Sequence, residues 1–474
     1  MVAINFPLST APGARPAEGG GRLINAFAEP LSGGGPGDYV IRRSAGLSLR
    51  FETGEGFCRG RLEVNGALYL VQGDRAYYVT SPGGGIFSVT DIGQIDGEGP
   101  VTIARNSAAP TPDVLCVTTA ATYVLTSSSV TQLDEPDLPA PIDITFVDGY
   151  FMFATGGGQI YASGLNDTTV GALDFARPDA RADRLLRVIS FRGELFAFKS
   201  SSIQPYYNAG NPEGFPFSPR QMIPRGLAGP WAIAGFEPGW TNELIWVGDD
   251  NVVYVLEGYT PRPISTPDLE RLIKTVPDKR DLQASVYRIG GHAFWVLSSP
   301  DWTWEFNTIT AQWNERKSAN RERWKATGAV FAFGEWIATV CSEGRAYAVS
   351  EEAQSEGNER LRFEVWSAQA PAFPNRVAVP RASFAFTVGQ GLAPGEVPIE
   401  TDPSVVISWS NDGGVTWASP LVRALGAQGK YHQQVTVHRT GMTGTQGRMW
   451  RLWCSDPVYI GLLGGDMDVT GRAA

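Results

Sequence analysis

The feature that most constrains this chain is a shape that recurs along residues 51–370. An apolar run of strand length meets a tight Gly or Asp turn, and a second run rich in Tyr or Trp follows. The first copy is Gly66-Ala67-Leu68-Tyr69-Leu70-Val71, then Gly73-Asp74, then Ala76-Tyr77-Tyr78-Val79. Further copies lie at 114–125, 150–161, 195–206, 244–255, 293–304 and 336–349. Each reads as a β-hairpin. Strands without helices at a period of roughly 40 to 50 residues point to a β-propeller. Middle strands of a blade face a neighbouring blade on each side. That accounts for near-continuous apolar runs in place of strict alternation. Seven hairpins are counted, the second of them weak, so the expectation is six or seven blades.

Composition supports an all-β fold. The chain has 55 glycines and 33 prolines among 474 residues, 43% hydrophobic and 19% charged. Gly and Pro are the two poorest helix formers, which excludes a long helical bundle. The apolar content excludes a disordered chain. One short helix is expected between blades. Thr266 caps it, Pro267 takes the first position, Asp268 and Glu270 fill the first turn, and Lys274 lies near the end.

Three regions follow. Residues 1–50 are a Gly/Pro-rich N-terminal arm, docked on the body through Leu23-Ile24-Asn25-Ala26-Phe27. Residues 51–370 are the propeller. Residues 371–474, entered by a linker with Pro371 and Pro374, form a C-terminal β-sandwich with strands at 382–388, 405–409, 432–438 and 450–454.

Chemistry is sparse. There is no phosphate-binding Gly-rich loop and no nucleophile elbow. Cys58, Cys116, Cys341 and Cys454 follow no C-x-x-C spacing and read as buried small hydrophobes in a reducing compartment. His432 and His438 would share a face if they lay in one strand, but no further ligand stands between them. His292 is expected at a blade edge. Asp466-Met467-Asp468-Val469-Thr470-Gly471 imitates the start of a Ca²⁺ loop but reads as a terminal strand with solvated acids. Ser410-Asn411-Asp412-Gly413-Gly414-Val415-Thr416-Trp417 resembles the Asp-box of sialidase propellers. There too it is a structural turn. Here Asp412 should accept backbone N–H bonds, Gly413 or Gly414 should take positive φ, and Trp417 should pack beneath. A glycosidase needs two carboxylates at a set separation, and no pair stands out among 49 acids. No catalytic, cofactor-binding or metal-binding residue is assigned, and no cofactor is expected.

The formal charge is −10, and no basic stripe marks a nucleic-acid binder. Arg greatly outnumbers Lys, a skew read as genome bias. Residues 1–16 lack the basic start and long apolar stretch of a signal peptide, and the most apolar stretch, 329–341, is too short to span a bilayer, so no stable membrane insertion is expected.

Several segments together carry a family resemblance. Arg22-Leu23-Ile24-Asn25-Ala26-Phe27-Ala28-Glu29-Pro30, then Arg42-Arg43-Ser44-Ala45-Gly46-Leu47, resembles the opening of tail accessory proteins of short-tailed bacteriophages. These are the packaged-DNA stabilisation, tail hub or nozzle proteins. Ser200-Ser201-Ser202-Ile203-Gln204-Pro205-Tyr206, then Pro216-Phe217 and Gly226-Leu227-Ala228-Gly229, is similar to their central motif. The helix at 269–274 falls where they carry one. Val406-Ile407-Ser408-Trp409-Ser410-Asn411-Asp412-Gly413, Trp450-Arg451-Leu452-Trp453 and Ser455-Asp456-Pro457-Val458 are similar to their C-terminal domain.

The resemblance implies a non-enzymatic virion protein made in the host cytoplasm. It implies a homohexameric ring below the portal and head-to-tail adaptor, which closes the DNA channel, retains packaged DNA and anchors tailspikes or fibres. An acidic lumen would let DNA pass without sequence-specific binding. The alternative reading, drawn from the Asp-box and the aromatics, is a carbohydrate-binding or sialidase-like glycoside hydrolase propeller. A bacterial scaffold propeller is a third.

Overall fold

The computed structural model describes residues 1–31, 38–54, 56–211, 213–340, 343–370, 375–391 and 401–471. Cys341, the prolines at 371 and 374, and most of the 391–403 stretch lie outside them. The chain forms two compact units, neither contiguous in sequence. One comprises Met1–Ser48, Ile289–Lys325 and Val349–Ala474, and the other Leu49–Arg288 and Ala326–Ala348.

The second unit is a succession of antiparallel meanders. The first runs through Cys58–Val64, Ala67–Gln72, Arg75–Gly83 and Ile86–Gln94. Four more four-stranded sheets occupy 102–132, 141–176, 185–219 and 233–263. A further meander begins with Ala326–Ala332 and Glu335–Val340 and continues into Arg345–Ser350. The fold class expected from the sequence, an all-β propeller, is the one observed.

Tight two-residue turns join first to second strands at Asn65-Gly66, Asp148-Gly149, Arg192-Gly193 and Phe333-Gly334. All eight residues have positive φ, between 49° and 94°. That matches the twist of paired strands, and it is why glycine holds every second position.

The packing explains the apolar runs. In Ala67–Gln72, Leu68 and Leu70 face a core that contains Phe51, Ile337 and Ala346. Their neighbours Tyr69 and Val71 face the opposite core, with Val114 and Cys116. The same alternation recurs at Phe151 and Phe153 against Met152 and Ala154. It recurs again at Phe196 and Phe198 against Leu195 and Ala197. Each middle strand is thus apolar on both faces because two cores meet across it. The two chain segments of this unit are bound together by Arg50 on Glu335 and by the Thr53 N–H on the Gly344 carbonyl.

The expected helix forms over Pro267–Thr275. Thr266 caps it, accepting from the Leu269 N–H, and Leu269 and Ile273 are buried beneath it.

The first unit holds two facing sheets. One is ordered Ala26–Pro30, Tyr39–Arg43, Gly461–Gly471, Val377–Phe386 and Val435–His438. The other includes Arg22–Ile24, Phe363–Trp366, Met449–Cys454, Ser404–Ser410 and Leu421–Ala424. One core joins them, with Leu23, Ile41, Phe363, Phe384, Ile407 and Trp450 among its buried members. The stretch 22–43 therefore contributes strands to both layers of the sandwich. The meander His292–Ser298, Thr303–Asn307 and Gln312–Arg316 belongs to this unit too, and Arg22–Ile24 pairs in parallel with its last strand.

Candidate functional site

The Asp-box motif forms a closed turn at the end of the strand Ser404–Ser410. Asp412 Oδ1 accepts from the N–H groups of Val415 at 3.0 Å and Thr416 at 2.9 Å, and from the Ser410 hydroxyl at 2.7 Å. Its Oδ2 accepts from the Thr416 hydroxyl. Partial burial pushes the carboxyl up, but the Thr416 hydroxyl and N–H, the Ser410 hydroxyl and the Val415 N–H outweigh it and hold the group at about 2. Gly413 and Gly414 both take positive φ, 77° and 94°. A side chain at Gly413 would overlap the backbone of Ala17, so the N-terminal segment lies directly on the turn. Trp417 meets Trp366 edge to face at 4.9 Å. The carboxylate is occupied within its own turn, which is architecture and not catalysis.

Beside it stands a ladder of alternating aromatic and charged side chains. Arg451 lies over Trp366, Trp417 and Trp453, at 5.3, 5.4 and 5.1 Å. Glu364 accepts from Arg451 and from the Trp366 indole, both at 2.6 Å. In the sequence, Trp417 stands in the Asp-box and Arg451 and Trp453 in the run 450–453, and nothing there singles out Glu364 or Trp366. Their convergence depends on pairing between strands far apart in the chain.

The histidines do not converge. His432 lies outside the strand Val435–His438, which corrects the expectation of a shared face. Strand pairing begins only after residue 434, so the two-residue periodicity never applies. His292 is buried as the first residue of its strand. Its Nδ1 is 3.0 Å from the Asn307 amide and its ring lies against Phe27. Among the described residues no group of three or more His, Cys, Asp or Glu could hold a metal ion. Cys58, Cys116 and Cys454 are buried free thiols, and burial pushes the Cys116 thiol up to about 12. Asp468 pairs with Arg381 at 3.0 Å within the terminal strand Gly461–Gly471. No helix among the described residues is long and apolar enough to cross a membrane.

The feature missed from the sequence is a cavity of about 510 Å³ in the second unit. Seven strands line it. They are the first strands of the five four-stranded sheets, together with Gln283–Ile289 and Ala326–Ala332. Its wall carries Arg59, Arg61, Arg105 and Arg187. Arg187 donates to Asp143 at 2.8 Å, both buried, and lies 4.9 Å over Trp231. Glu237 also faces the cavity, accepting from the Gly235 N–H at 2.6 Å. Burial pushes its carboxyl up, opposed by that N–H and by Arg61 and Arg187. First strands carry few of the long apolar runs that mark the middle strands, so no sequence pattern announced them.

Antiparallel meanders whose first strands surround one cavity define a β-propeller. A family model described as "Bacteriophage P22 Gp10, beta-propeller", of the phage stabilisation family, matches residues 23–354. The chain belongs to this family, and so to a class of phage structural propellers. No curated protein matches the chain. Among solved structures, the WD40 β-propeller domain of Doa1 is 9% identical, with a TM-score of 0.42, over 65% of this chain and 98% of that one. BamB from Moraxella catarrhalis is 12% identical, with a TM-score of 0.39, over 68% and 92%. PorZ of Porphyromonas gingivalis is 10% identical, with a TM-score of 0.40, over 78% and 46%.

Proposed function

We propose that this protein is a tail component of a short-tailed phage virion. Six copies form a ring below the portal and its adaptor. The ring closes the DNA channel, retains the packaged genome and anchors tailspikes or fibres. The observation that carries this reading is family membership over residues 23–354.

Two physical features support it. The outer strand Val170–Ala176 exposes Leu173 at 80%, and Leu165 just before it is 66% exposed. Side chains of this kind are suited to burial between subunits. The net charge of −10 per chain suits a wall along which DNA phosphates slide without adhering. The reading requires no catalytic group, no cofactor and no membrane.

The test mixes purified chain with phage heads that carry the adaptor but lack this protein. Co-sedimentation with heads, and sixfold rings at the portal vertex in negative stain, are the expected result. Neither rings nor binding would overturn the proposal, as would turnover of a sialylated or other glycan substrate by the purified chain.

A further inference from the structure

The cavity of the second unit is more basic than the chain that builds it. Four arginines reach its wall against the acids Glu63 and Glu237, in a chain of net charge −10. Asp143 answers Arg187. Among the described residues no carboxylate pairs with Arg59, Arg61 or Arg105. Arg59, only 6% exposed, donates to the carbonyls of Gly99, Gly73 and Ile95, and its Nη2 has no hydrogen-bond partner among the described residues. Arg61 donates to the Thr339 hydroxyl and the Thr327 carbonyl. A side chain at Gly328 would overlap the Arg61 guanidinium, so glycine keeps that seat open.

Arg61 lies on the strand Cys58–Val64 and Arg187 on Leu185–Phe191, in sheets that are not neighbours in the succession. Both nonetheless act on the carboxyl of Glu237. All three groups line the same cavity. Asp143 meets the charge of Arg187, but Arg61 and Arg105 have no ion-pair carboxylate among the described residues, and guanidinium groups on a cavity wall attract an oxyanion because their planar fork matches carboxylate and phosphate oxygens.

We propose that this cavity binds a compact multivalent oxyanion, of the phosphate or polycarboxylate kind, on the wall that carries Arg61, Arg105 and Arg187. Its volume lies within the range of about 300–1,000 Å³ usual for small-molecule sites. Glu237 is the internal competitor, a carboxyl on the same wall that both Arg61 and Arg187 already act on.

The test is titration calorimetry on the full chain, with sodium pyrophosphate and sodium citrate as separate probes against sodium chloride at equal ionic strength. Saturable binding of at least one probe is expected. Response to pyrophosphate alone assigns a phosphate ligand, and response to citrate alone a polycarboxylate. Arg61→Gln should weaken binding tenfold or more, and Glu237→Gln should tighten it several-fold. If Arg61→Gln does not fold, Arg105→Gln replaces it, with several-fold weakening expected. No heat beyond the chloride control, unchanged binding in the arginine variant, or a Glu237→Gln protein that binds no tighter overturns the proposal.

Discussion

Arg187 Nε donates to Asp143 Oδ2 at 2.8 Å, and Asp143 is wholly buried. The same carboxylate oxygen accepts from the Val188 N–H at 2.7 Å. The pair ties the first strands of two adjacent sheets, Pro141–Val147 and Leu185–Phe191. Asp143→Ala leaves a guanidinium in a site built for a pair, and uncompensated buried charge typically costs about 3–5 kcal/mol. A large fall in the urea midpoint is expected on equilibrium unfolding. An unchanged midpoint would show that the pair does not hold the sheets together.

Gly235 has φ 114°, and a side chain there would overlap the Glu243 carbonyl oxygen. Its N–H also orients Glu237. Gly235→Ala combines backbone strain with a backbone clash, so a loss of about 1–3 kcal/mol or more is expected. Thermal unfolding of the variant beside the parent checks it.

Asp412 gives the Asp-box turn a pH signature. Its folded value of about 2 lies below the ordinary 3.8. Its contribution to stability is therefore present above the ordinary value and is lost as pH falls through about 2. Asp412→Ala should lower the urea midpoint at neutral pH, and the gap from the parent should narrow between about pH 4 and pH 2. A gap that does not change with pH would separate the turn's stability from the charge.

In the first unit, Arg316 is wholly buried beside Glu305 at 3.3 Å and Glu356 at 3.5 Å, with its guanidinium 4.5 Å over Trp324. Lysine retains the charge but not the planar stack or the fork. Arg316→Lys should therefore destabilise the protein measurably, and Arg316→Ala further still. Equal stability of the Lys variant and the parent would mean that charge alone suffices.

The seven hairpins were legible because each middle strand is apolar on both faces. Leu68 and Tyr69, adjacent in sequence, each meet a different core. The Asp-box turn was legible because Ser410, Asp412 and Thr416 bond to one another within a stretch of seven residues. The helix was legible from its cap at Thr266. The cavity was not. Arg61, Arg187 and Glu237 lie more than a hundred residues apart at the extremes, the two arginines on strands of mixed polar and apolar residues and Glu237 in a bend beyond Ile233–Ala234. The contribution of residues 22–43 to both sandwich layers was hidden for a similar reason. Leu23 and Ile41 find their core partners, such as Phe363 and Trp450, only through long-range pairing. His432 was misjudged because identical spacing arises whether or not a strand extends over it.

The most direct test of the tail-ring account is the mass and symmetry of the assembled protein. Native mass spectrometry and negative-stain imaging should be done with and without adaptor-bearing heads. Six chains of 51.2 kDa give a ring of about 307 kDa, and sixfold particles of that mass, free or at the portal vertex, are expected. A protein that stays at 51.2 kDa in solution and leaves the heads bare would contradict the account.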